Sequence, residues 1–64
     1  MPLAALDLEQ LKGRRRRVKA FIREKQSERA YLLKRGEAET PYCDAAIANW
    51  SAYLEDVEVH VAAA

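Results

Sequence analysis

The sequence predicts an all-α protein, a two-helix antiparallel hairpin, and three observations carry that expectation. Asp7 is followed three residues later by Gln10, a capping-box pairing that starts a helix near Leu8. Lys34-Arg35-Gly36 and then Thr40-Pro41 punctuate the middle of the chain as a helix stop followed by a helix start. Beyond them Cys43, Ile47, Trp50, Leu54, Val57 and Val61 recur in alternating steps of four and three, which is a heptad seam.

The elements follow in order. The first helix is expected over 8–35, with the cations Lys34 and Arg35 favourable at its negative C-terminal end and Gly36 suited to the left-handed residue that closes it. Gly13 lies inside this span at a cost of about 1 kcal/mol relative to alanine, so a start just after it is the alternative. The second helix is expected over 41–61, with Thr40 as the cap and Pro41 at a position where its missing N–H has no partner to lose. A connection this short makes the helices antiparallel neighbours. A rival reading takes Val57-Glu58-Val59-His60-Val61 as a strand, because apolar and polar residues alternate there; the heptad spans more residues and is preferred.

The apolar surfaces of the two helices are unequal. Tyr42, Ala46 and Tyr53 widen the second helix's seam into a continuous apolar face. In the first helix the stripe of Leu8, Leu11, Val18, Phe21, Ile22, Leu32 and Leu33 is interrupted by Arg14, Arg15, Lys25 and Arg29. Half of the 64 residues are apolar, but twelve of them are alanines, so the side chains available to fill a core are few. Chains of this size usually need a staple, and a single cysteine makes no intrachain disulfide. The expected support is self-association into a four-helix homodimer, or docking on a partner protein.

Charge is segregated beneath a formal net charge of +1. All eleven Lys and Arg lie between Lys12 and Arg35, opposed within the first helix by Glu9, Glu24 and Glu28, for +8; residues 36–64 carry only acids, Glu37, Glu39, Asp44, Glu55, Asp56 and Glu58, for −6. Folding about Gly36 sets Glu55, Asp56 and Glu58 roughly opposite the stretch Lys19 to Arg23 and close to the run Arg14 to Arg17. Exposed pairs contribute about 0 to 1 kcal/mol each, so they fix orientation more than stability. Four consecutive arginines spread around a helix, and one partner surface cannot neutralise all of them. Arg14, Arg15, Arg16, Arg17, Lys19 and Arg23 are therefore candidates for contact with phosphates or with an acidic surface. Against nucleic acid, Tyr42, Trp50 and Tyr53, the kind of side chain that stacks on bases, lie in the acidic half.

Little here suggests catalysis. Asp56 and His60 are four apart, so on a helix the carboxylate could orient the imidazole, but no nucleophile shares their side. Cys43 at a seam position reads as a small buried hydrophobe. Cys43 and His60, at opposite ends of one helix, cannot share a metal ion within a monomer, and no glycine-rich phosphate loop occurs, so neither metal nor cofactor is expected. The segment from Met1 to Asp7 has no basic stretch ahead of its apolar residues, and no apolar run is long enough to span a bilayer, so a cytoplasmic chain is expected. Asn49-Trp50-Ser51 matches a glycosylation acceptor by chance.

The long first helix, the Arg35-Gly36 turn and Tyr42 six residues after that glycine resemble two groups of short helical hairpins, the Rop-type RNA-binding dimers and the small co-chaperones of type III secretion needle subunits. The resemblance covers architecture, and no functional residue is carried over from it. The expected function is a small non-enzymatic protein-binding module: an adaptor, a chaperone subunit, or an inhibitor of a larger protein, including a phage-encoded one. It would act through Tyr42, Ile47, Trp50, Tyr53, Leu54 and Val57. The alternative is a Rop-like nucleic-acid-binding hairpin using the basic first helix.

Overall fold

The computed structural model describes residues 2–64 and contains a short 3-10 turn over Leu3–Ala5, helix α1 over Leu8–Lys34 and helix α2 over Pro41–Ala63. Among the described residues there is no strand, and the stretch from Val57 to Val61 is helical, so the alternation of valines there reflects two sides of a helix.

Both helix boundaries of α1 are set by local chemistry. The Asp7 carboxylate accepts from the Gln10 amide at 2.8 Å, and the Gln10 side chain accepts from the Asp7 amide at 3.0 Å, a complete capping box. At the other end Gly36 takes φ 98°, its amide donates to the Leu33 carbonyl, and the Glu37 amide donates to the Leu32 carbonyl. This is the Schellman closure that glycine permits. Gly13 is accommodated inside α1, and the helix starts ahead of it.

Thr40 departs from expectation. Its side chain does not cap the backbone of α2 but donates to the Asp44 carboxylate at 3.3 Å, and the residue is buried. Pro41, at the first helical position, leaves one fewer unpaired amide in the first turn of α2.

The two helices pack against each other in antiparallel order: Arg14 reaches Tyr53, and Arg29 reaches Asp44. The 3-10 turn lies on α2. Leu11, Val18 and Ile22 of α1 close on Cys43 and Val57 of α2, and these five are the buried apolar residues among those described. The molecule measures 44 × 18 × 15 Å, with a radius of gyration of 14.2 Å. A compact chain of this length would have about 10.7 Å. Two helices side by side cover only the strip between them, so the middle of the heptad seam stays partly open: Ile47 and Leu54 are half-buried and Trp50 is 39% exposed.

Candidate functional site

Trp50 stands on the inward side of α2, but its indole is too large for the strip between the helices and lies over Phe21 of α1, with ring centroids 5.2 Å apart and planes tilted by 57°. Tyr53, one turn further along α2, meets the indole edge-on at 5.6 Å. Arg14 of α1 donates from Nη1 to the Tyr53 hydroxyl at 3.0 Å. In the other direction the Lys25 ammonium lies 5.3 Å from the Phe21 ring centre and 5.3 Å from that of Tyr42, which is 70% exposed. A file of three touching rings, Tyr53 and Trp50 of α2 and Phe21 of α1, thus runs along one side of the hairpin, with Arg14 at one end and Lys25 joining Phe21 to Tyr42 at the other.

The file borders an open groove of about 740 Å³ lined by Arg14, Arg17, Val18, Phe21, Asn49, Trp50 and Tyr53. No carboxylate lines it. Arg17 forms no ion pair among the described residues, and Arg14 Nε is buried without an acceptor. Lys25, by contrast, is held: its ammonium donates to Glu28 at 3.0 Å, and that carboxylate raises its pKa above the ordinary lysine value.

The other side of the hairpin is polar and internally matched. Arg29 binds Asp44 at 2.7 Å, and Glu58 lies 3.6 Å from Arg15 and 3.8 Å from Lys19. Opposition between the basic and acidic halves is therefore real but narrower than the sequence suggested. Glu58 faces the basic helix, whereas Glu55 and Asp56 are exposed and form no ion pair among the described residues.

The residues expected to bind a protein are divided by the fold. Tyr42, Trp50 and Tyr53 come together on the aromatic side. Ile47 borders a shallow hollow with Arg29 and Asp44, and Leu54 is half-buried. Val57 is fully enclosed and presents nothing to a partner in the closed hairpin. Of the basic candidates, Arg14, Arg15 and Lys19 are engaged within the hairpin, while Arg16, Arg17 and Arg23 have exposed side chains free of ion pairs among the described residues.

Phe21 is the member of the site that the sequence reading left in a generic apolar stripe. Phe21 and Trp50 are nearly equidistant from Gly36 along the chain, which in a hairpin sets them side by side. His60 also corrects an expectation: its Nδ1 lies 2.8 Å from the backbone carbonyl of Asp56, so the carbonyl, not the carboxylate, takes the imidazole N–H. Among the described residues no cluster of three or more His, Cys, Asp or Glu is placed to hold a metal ion, and no helix is long and apolar enough to cross a membrane.

In comparison with known proteins, the chain matches no protein-family model, no curated protein and no solved structure.

Proposed function

We propose that this chain is a small non-enzymatic protein-binding module whose partner seats on the aromatic side formed by Phe21, Trp50, Tyr53 and Tyr42. The observation that carries this reading is the open apolar groove over the Phe21–Trp50 contact, flanked by Arg14 and Arg17. Tryptophan, tyrosine and arginine are the residues enriched where binding energy concentrates, because each combines a large apolar contact area with a directed polar group. Adaptor, chaperone subunit and inhibitor are the roles that such a module fills. A cytoplasmic setting suits its free, enclosed Cys43 thiol.

The nucleic-acid alternative has one supporting observation, the exposed side chains of Arg16, Arg17 and Arg23. Three phosphate contacts would give a salt dependence of about −3 in log K against log salt, which corresponds to weak binding. The protein-binding reading is preferred on that magnitude.

A photoreactive phenylalanine analogue placed at Tyr42, and separately at Arg23 on the outer side of α1, tests it in cells of the native host. Position 42 should form adducts with protein chains, and Trp50→Ala should abolish them. Adducts from position 23 alone, or adducts that nuclease treatment removes, would overturn the reading.

A further inference from the structure

We infer that the occupant of the aromatic side is a second copy of this chain, laid on it about a two-fold axis at the level of Phe21 and Trp50, with α1 of each copy antiparallel to α1 of the other. The inference rests on the protein-binding reading above and names its partner.

The charge pattern of α1 is the first argument. Arg14, Arg17, Phe21, Glu24 and Glu28 follow one another in steps of three or four, so they share one side of the helix. Cations lie seven and four residues before Phe21 and anions three and seven after it, and Phe21 is the central residue of Leu8–Lys34. Turning the helix end for end about Phe21 therefore sets Arg17 against Glu24 of the second copy and Arg14 against Glu28. Isologous pairing requires such a self-complementary strip. Lys25, which would break the pattern, is withdrawn from it: 13% of its side chain is exposed, held between Glu28 and the rings of Phe21 and Tyr42.

Surface area is the second. The molecule exposes 4771 Å², whereas a compact 7.3 kDa protein exposes about 4,200 Å². One broad side, 44 by 18 Å, offers roughly 800 Å², the area that each partner contributes to a standard stable interface. The third argument is Arg14, whose guanidinium donates from Nη1 to the neutral Tyr53 hydroxyl and has no carboxylate partner among the described residues. An acidic segment of a different protein would satisfy the arginines but leave Glu24, which has no ion pair among the described residues, unanswered on the same side; Glu28 keeps Lys25 in either case.

Sedimentation equilibrium of the full chain, from micromolar to submillimolar concentration, tests the assembly, with the emission of Trp50, the single tryptophan, as a second readout. The expected result is a dimer mass, with emission shifting to the blue as the dimer forms. Arg17→Glu and Glu24→Arg should each weaken association about tenfold, and the two together should restore it. Neither residue has an ion-pair partner among the described residues, so helicity by circular dichroism should be unchanged in all three variants. A monomer mass throughout overturns the inference, as does a dimer that the double exchange fails to restore. A monomer whose position 42 still forms adducts with another protein overturns the second copy alone and leaves the protein-binding reading standing.

Discussion

The Trp50 indole and the Phe21 ring meet at 5.2 Å across the two helices, and this contact both closes the hairpin at its midpoint and forms the floor of its groove. One pair of residues thus serves the fold and the proposed interface at once, which ties the effects of mutation at the two levels.

Because Trp50 is 39% exposed, Trp50→Ala should destabilise the hairpin by about 1–3 kcal/mol, below the roughly 3–5 kcal/mol of a fully buried tryptophan. Urea denaturation followed by circular dichroism measures the loss. A variant as stable as the parent chain would show that the ring contact contributes nothing to closure.

Val57 and Val59 form a sharper comparison, since they are two residues apart on α2 with opposite surroundings: Val57 is fully enclosed and Val59 is 64% exposed. Val57→Ala should cost about 1–3 kcal/mol through lost burial and the cavity left behind, while Val59→Ala should stay within about 0.5 kcal/mol. Equal losses at the two positions would contradict the helical phase of this segment.

That phase also marks what the sequence could convey. Capping at Asp7, the glycine stop at Gly36 and the heptad steps of α2 are local signals, and local signals place helix ends to within a residue or two. Which seam residue ends up covered depends on the partner helix's side-chain volumes at each level. Periodicity does not encode this, so Trp50 and Val57 looked equivalent in the seam although one is open and the other sealed. Glu58 and Glu55 likewise differ only in their angle around α2, and only Glu58 reaches Arg15 and Lys19. Phe21 entered the site through the hairpin's register, a non-local relationship.

The two glycines should respond to alanine with opposite signs. Gly36 at φ 98° lies where a Cβ is strained, so Gly36→Ala should destabilise by about 1 kcal/mol or more, even though the space around it is open. At Gly13 the nearest atom to an added Cβ is Arg17 Nη1 at 3.9 Å, an ordinary contact inside a helix, so Gly13→Ala should stabilise by about 1 kcal/mol. Thermal melts of both variants against the parent chain check the signs.

Lys25 gives a dependence at alkaline pH. The Glu28 carboxylate, accepting its hydrogen bond, raises its pKa in the folded chain. The folded state therefore binds this proton more tightly than the unfolded one, and the resulting stability is complete below the ordinary lysine pKa and lost as pH rises through the raised value. Side-chain NMR titration should show Lys25 deprotonating above the ordinary lysine pKa, and Glu28→Gln should remove the delay.

The Cys43 thiol reports hairpin opening directly. It is 1% exposed, and it is the only cysteine, so reaction with an aromatic disulfide reagent requires the helices to part. When opening and reclosing are fast relative to the reagent, the rate is that of a free thiol multiplied by the open fraction. Each 1.4 kcal/mol of closure then slows the reaction about tenfold. Val57→Ala, predicted to weaken closure by about 1–3 kcal/mol, should speed thiol reaction by roughly 5- to 150-fold, and Val59→Ala should leave it nearly unchanged. Raising the protein concentration should slow the reaction further if a second copy covers the Phe21–Trp50 side, because assembly withdraws chains from the opening equilibrium. A Cys43 that reacts at the free-thiol rate would mean that α1 and α2 do not stay closed on Val57.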